Sequence, residues 1–157
     1  MEPMPIQMKT EIIVRDFEVD DLEACWDISL DLWGWDISEK IQDEMMDKFD
    51  NPSEFPPHFC VATHDEKIVG FSGYRRALVM SDAWEMIWNN VHSEYQRKGI
   101  GRLMVEYRLE QIKARGGKII FTMTKFPMLP GRSGFQTVSI IDGWNLMVNK
   151  LGPVDIT

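Results

Sequence analysis

The stretch from Trp84 to Met104 constrains the fold more than any other part of the chain, because its apolar period changes in the middle. Trp84 to Val91 is dense in aromatic and β-branched residues and too short for an ordinary helix, which predicts a buried strand. From Ile100 onward apolar residues return at Leu103, Met104, Tyr107 and Ile112, close to helical spacing, and Gly116-Gly117 supplies a C-terminal stop. Between the two lies Gln96-Arg97-Lys98-Gly99-Ile100-Gly101.

That junction is chemically an anion cradle. The first turn of a helix has backbone N–H groups without intrahelical partners, and the macrodipole adds partial positive charge there. Gly99 and Gly101 lack a Cβ, so a ligand can approach the backbone closely and φ can turn positive. Arg97, Lys98 and Arg102 add full charges at the same end. Each such cation opposes the dipole by about 0.3–1 kcal/mol, so three together imply a bound anion, with phosphate or pyrophosphate as the natural occupant. The plain alternative is a tight turn carrying solvated basic side chains. Two other phosphate loops are excluded. A Walker loop needs Ser or Thr after Gly-Lys, and Ile100 follows Lys98-Gly99; a dinucleotide fingerprint needs a third glycine where Met104 stands.

What remains, Gln/Arg-x-x-Gly-x-Gly between a strand and a helix, resembles motif A of the GNAT superfamily of N-acetyltransferases. The resemblance implies that Gln96, Arg97, Lys98, Gly99, Ile100, Gly101 and Arg102 hold the pyrophosphate of acetyl-CoA. It also implies that the backbone near Val91 meets the pantetheine arm beside a splayed sheet.

The remaining segments read in order as a first strand at Glu11–Arg15 and a helix from an Asp20-Asp21 cap through Trp33, ended by Gly34. Ser38 reads as the cap of a second helix running to about Phe49, followed by a loop with Asn51-Pro52-Ser53 and Pro56-Pro57. His58–Thr63 and Ile68–Tyr74 are strands, as is Lys118–Thr124. Pro127 to Gly134, with two prolines and two glycines, excludes a regular helix through that segment. Phe135–Ile141 and Trp144–Leu151 flank Asp142-Gly143, a preferred two-residue hairpin loop. The tail from Gly152 to Thr157 reads as frayed. This order matches the GNAT layout over about residues 9–151 of a single domain spanning 1–157. The implied fold is α/β (α+β), with a mixed, mostly antiparallel central sheet of about seven strands, flanked by helices and splayed at the cofactor site. Ile68-Val69-Gly70-Phe71 and Gly134-Phe135 resemble further family features. One departure stands out. The family usually has a tyrosine four residues ahead of that glycine, protonating the leaving thiolate, and here the position is Pro130.

Acetyl transfer to an amine needs the amine neutral. A lysine-type amine is about 1 part in 2,500 neutral at pH 7, a cost of about 4.6 kcal/mol, so a general base helps. Glu85 is the candidate: an acid among Trp84, Met86, Ile87 and Trp88, eleven residues before Gln96, the spacing of the strand-borne base in the histone-acetyltransferase branch of the family. His92 is the second choice, and a solvated Glu85 at a strand end is the plain alternative.

Charge suggests the acceptor. Residues 1–60 hold 16 acidic and 4 basic residues, net −12, whereas residues 61–157 hold 9 acidic and 13 basic, net +4. Such a split suits a protein meeting a cation on one face and a polyanion on the other. Trp33 with Asp31 and Asp36 forms an aromatic and acidic candidate acceptor site, in the region where the family's first two helices bind acceptors; Tyr74 and Trp88 are candidates to line the same cavity. No basic stripe extends beyond the loop, which disfavours nucleic acid. No apolar run reaches membrane-spanning length, and the N-terminus lacks a secretory pattern. Two cysteines make no disulfide framework, and with the three histidines they have no metal-ligand spacing, so no metal is expected. A cytoplasmic setting follows as the default, and a homodimer stays open. Two function classes remain: an acetyl-CoA-dependent N-acetyltransferase acting on a small cationic molecule or on a protein lysine or N-terminus, and a non-catalytic acyl-CoA-binding regulatory module of the same fold.

Overall fold

The structure, a computed structural model, describes residues 11–77 and 82–152. Seven strands form one sheet: β1 (Ile12–Asp16), β2 (His58–His64), β3 (Lys67–Arg76), β4 (Ala83–Val91), β5 (Ile119–Thr124), β6 (Gln136–Ile141) and β7 (Trp144–Lys150). Their spatial order is β1-β2-β3-β4-β5-β7-β6. Every neighbouring pair is antiparallel except β4–β5, which is parallel and joined by the crossover helix α3 (Ile100–Ala114). Helices α1 (Leu22–Trp33) and α2 (Trp35–Met46) complete the front, and α4 (Met128–Gly131) is one turn before β6.

Alternation along β2 shows how the layers form. Phe59 and Val61 point to one face, where Cys25 and Ile28 of α1 and Ile41 and Met45 of α2 pack on them. Cys60 and Ala62 point to the other face, against Ile100 and Met104 of α3. Farther along that second face, Val105 and Ile112 meet Trp84, Met86 and Ile120. The sheet is therefore apolar on both sides in its centre, with α1 and α2 in front and α3 behind. Among the described residues no helix is long and apolar enough to cross a membrane.

Several boundaries differ from the expectation. The second helix begins at Trp35, because Gly34 at φ 83° turns the chain and serves as its N-cap. Ser38 lies buried inside that helix, donating to the Gly34 carbonyl at 2.7 Å and accepting from Ser29 at 2.7 Å. Asp21 does not cap α1 with its side chain; it accepts two hydrogen bonds from Arg15, at 2.7 and 2.8 Å. The expected irregular segment contains the single turn Met128–Gly131, which tolerates proline because first-turn N–H groups have no helical acceptor. Asp142 and Gly143 both take positive φ, 51° and 79°, as the hairpin loop requires. Of the expected frayed tail, residues 153–157 lie outside the described residues.

Two irregularities shape the sheet centre. β4 pairs with β5 only from Ala83↔Ile119 to Met86↔Thr122, while β5 continues along β7 to Thr124↔Asn145. Beyond Met86 the two parallel strands separate. On its other side β4 pairs Ile87 with Gly73 and Asn90 with Phe71, so Trp88 and Asn89 together oppose Ser72. That is a bulge, with Trp88 at φ 51°.

Candidate active site

At the junction, Gly99 is the N-cap of α3 with φ 84°, and Arg97 also takes a positive φ, 64°. The first helical bond runs from Leu103 N–H to the Gly99 carbonyl at 3.1 Å, leaving the amides of residues 100–102 without intrahelical acceptors. A Cβ at Gly99 would meet nothing within 4 Å; at Gly101 it would lie 3.2 Å from both Asn89 Nδ2 and Leu129 Cδ2. Ile100 is fully buried and anchors the turn, whereas Arg97, Lys98 and Gly99 are exposed. Lys98 lies over the Tyr95 ring at 5.2 Å, and Arg102 pairs with Glu106 at 3.1 Å. Gln96 donates to the Val91 carbonyl at 3.1 Å, tying the loop back to the end of β4. An open, positively charged nest of amides fits a pyrophosphate.

The bulge is held from the front and from behind. In front, the Trp88 indole N–H donates to the Glu44 carboxylate, and its ring stands edge-on to Trp33 at 6.5 Å. Trp33 in turn donates to Asn90 Oδ1 at 2.7 Å. Behind, the Arg108 guanidinium, 2% exposed, donates to the carbonyls of Gly73 at 3.0 Å and Ile87 at 3.4 Å. It also donates to Asn89 Oδ1 at 3.2 Å.

Glu85 sits one residue before the last β4–β5 pair, opposite Arg75 on β3 and Phe121 on β5. It accepts from Arg75 Nε at 3.1 Å, and its side chain is 24% exposed. With Arg75 and Phe121 it lines a cavity of about 910 Å³ in front of the sheet. Asp43, Glu44, Asp47, Asp50 and Glu54, from α2 and the loop after it, supply the acidic wall, with Arg76 over Phe55 at the rim. Trp33 and Trp88 come together next to it through Glu44. Asp31 and Asp36 are exposed on α1 and α2 and do not line it. Tyr74 is 1% exposed on the face opposite Glu85, stacked on His58 at 5.2 Å, and burial raises its phenol to about 12. His92 caps the short turn after β4, its Nδ1 accepting from Glu94 N–H at 3.1 Å.

The sequence model of the acetyltransferase (GNAT) family matches residues 22–127, two-thirds of the chain, a span that includes Glu85, the acidic wall and the residue 96–102 loop. The chain belongs to the GNAT family. No curated protein matches it. Among solved structures, the aminoglycoside 6'-N-acetyltransferase from Enterococcus faecium is similar with a TM-score of 0.72 at 18% identity, covering 91% of this chain and 99% of that one. The PaiA N-acetyltransferase from Thermoplasma acidophilum, in complex with coenzyme A, gives 0.71 at 17% identity over 89% and 99%. The ribosomal-protein alanine N-acetyltransferase from Escherichia coli gives 0.71 at 16% over 93% and 97%. At these identities the likeness establishes the GNAT fold.

Against the GNAT pattern, the place of the usual tyrosine is taken by Pro130, buried on α4, where its carbonyl accepts from Ser133 N–H at 2.9 Å and Phe135 N–H at 3.2 Å. Among the described residues no group of three or more His, Cys, Asp or Glu is arranged to hold a metal ion. Sequence reasoning missed Asn89, Arg108 and the α2 acids. Arg108 left a visible signal, since it interrupts the four-residue column Ile100, Met104, Arg108, Ile112 on the buried side of α3.

Proposed function

We propose that this chain is an N-acetyltransferase that moves the acetyl group of acetyl-CoA to a primary amine of a small cationic molecule, with a protein lysine or N-terminus as the second acceptor class. One observation carries this reading: Glu85 lines an acid-rich cavity of about 910 Å³ on the same strand whose bulged end leads to the residue 96–102 loop. That volume is in the range of small-molecule pockets, about 300–1,000 Å³. The enzymes named for aminoglycosides and for a ribosomal-protein alanine among the fold neighbours span the same two acceptor classes.

The donor, when bound, supplies an activated acyl thioester. The open amides of residues 100–102, with Arg97 and Lys98, bind its pyrophosphate, and the β4 edge freed after Met86 offers backbone groups to its arm. Carboxylates on α2 attract the cationic acceptor and orient its amine. Glu85, directly or through a water, takes the proton that the ammonium must lose, and Arg75 fixes its rotamer. The Glu44–Trp88–Trp33–Asn90 chain keeps the bulge rigid while the acceptor exchanges. We assign the protein to a reducing, cytoplasmic setting, which the buried, free thiols of Cys25 and Cys60 support.

A second reading, a non-catalytic acyl-CoA-binding module, draws on Pro130 in the tyrosine's place. Thiol release from acetyl-CoA across a panel of amines separates the two. Release with polyamines, aminoglycosides or basic peptides supports the enzyme; tight coenzyme A binding with no release for any amine supports the module.

A further inference from the structure

Arg108 is a buried cation without a counter-charge. The ion pairs among the described residues are Arg15–Asp21, Arg75–Glu85 and Arg102–Glu106, and none involves it. Its acceptors are the neutral carbonyls of Met104, Gly73 and Ile87 and the amide oxygen of Asn89. Burial lowers its pKa to about 10, so it stays charged at neutral pH. A buried charge of this kind is costly unless something compensates it.

The compensation has one open direction. Guanidinium nitrogens only donate, so Asn89 must turn Oδ1 toward Arg108 and its NH₂ away. That NH₂ points beside the first turn of α3, with Nδ2 3.2 Å from where a Gly101 Cβ would stand, and has no acceptor among the described residues. Asn89 is exposed and lies in the stretch of β4 that β5 has left. Leu129 of α4 closes on the same point, and the adjacent Pro130 carries no hydroxyl.

Resting on the acetyl-transfer reading, we propose that Asn89 faces the sulfur of the acyl donor and stabilises the leaving thiolate, and that Arg108 is the positioning residue that aims and polarises it. In the transfer, the amine nitrogen's lone pair forms the C–N bond to the acetyl carbon. The C–S electron pair departs on sulfur, and the proton lost by nitrogen ends on that sulfur, giving an amide and a free thiol. A donor backed by a buried cation lowers the energy of the sulfur anion until that proton arrives. This arrangement takes over the task of a hydroxyl donor at residue 130.

The test titrates the thiol of coenzyme A bound to the protein, following thiolate absorbance in the ultraviolet against pH. The wild-type complex should titrate about one pH unit below free coenzyme A, and Asn89→Ala, at an exposed position, should restore the free value while coenzyme A still binds. In turnover, Asn89→Ala should lower kcat about 10²-fold, the order lost with one such donor, with little change in the acceptor KM. Arg108→Met should add little to Asn89→Ala in the double variant, and Arg108→Lys should recover part of the loss, because the positioning acts through Asn89. Should Arg108→Met fail to fold, Asn89→Ala alone decides. A wild-type complex titrating like free coenzyme A, or an Asn89→Ala complex titrating like wild type, overturns the proposal. Coenzyme A binding without thiol release for any amine overturns the acetyl-transfer reading instead, and the titration still judges Asn89.

Discussion

Glu85 and His58 both lie at the edge of the core, in different settings. Glu85 is half-buried, tethered by Arg75 and open to the cavity, and the role of general base proposed for it rests on that setting. Glu85→Gln should lower turnover by about 10²–10⁴ at neutral pH, with coenzyme A affinity unchanged. The defect should shrink as pH rises toward the amine's own pKa, because the free base then no longer needs the carboxylate. Wild-type turnover across that range would remove Glu85 from the mechanism. His58 is structural: its ring stacks on Tyr74, and its buried Nδ1 has no hydrogen-bond partner among the described residues. Burial, aided by Arg115 and Lys48, lowers its pKa from 6.5 to about 4. The unfolded chain therefore takes up this proton first as pH falls through 6.5, and stability declines until about pH 4, where the folded state also takes it. Thermal melts between pH 7 and 5 should fall more steeply for the wild type than for His58→Phe. Equal slopes would assign the decline to other groups.

At the scale of elements, the turn into α3 uses its two glycines for different reasons. Gly99 needs its positive φ, and a side chain there would meet nothing within 4 Å. Gly99→Ala should therefore cost about 1 kcal/mol of stability through backbone strain, read as a lower Tm or denaturation midpoint. Gly101 has helical backbone, but its Cβ position is crowded by Asn89 and Leu129, each 3.2 Å away, in the first turn of α3. Gly101→Glu adds bulk and negative charge at that point, and coenzyme A affinity measured by calorimetry should drop at least tenfold while the far-ultraviolet dichroism stays native. Unchanged affinity would sink the pyrophosphate assignment. The bulge is the other element-scale device. A tryptophan at φ 51° is strained by about 1–2 kcal/mol, and bonds to Glu44 and from Arg108 around it hold that conformation.

For the whole molecule, the charge split acquires a location. Of the net −12 of residues 1–60, −8 (10 acidic and 2 basic residues) belongs to residues 22–60, which hold α1, α2 and the loop after them, and the part that meets a cavity is Asp43 through Glu54. Added salt should raise the acceptor KM, since exposed charges are screened beyond about 10 Å at 0.1 M ionic strength. Asp43→Asn should raise that KM about 1.5- to 5-fold with little loss of kcat, the mark of lost uniform binding. Asp31→Asn and Asp36→Asn, outside the cavity wall, should do less. Faster acetylation of neutral or acidic amines than of polyamines or basic peptides would reduce the acidic half to a solvated face.

Local pattern decided a large part of this protein. The order of elements, the loop from Gln96 to Arg102 with its helix behind it, and the Asp142-Gly143 hairpin follow from periodicity, capping and positive-φ chemistry, which act over a few residues. The family resemblance of the same loop added the mostly antiparallel seven-stranded sheet. Tertiary structure alone decided the rest, because each remaining feature depends on partners distant in the chain. A bulge exists only as two residues of β4 set against one of β3, so Trp88 and Asn89 look in sequence like any other strand positions. Tyr74 reads as a cavity residue until the register with Met86 turns it to the α3 face. Ser38 reads as a cap until Gly34 takes that role one turn earlier. Arg108 interrupts an apolar column in plain view, yet three of its four acceptors lie 35, 21 and 19 residues away on β3 and β4. Only folding brings those carbonyls and Asn89 to it, and with them a positive charge beneath the bulge of β4.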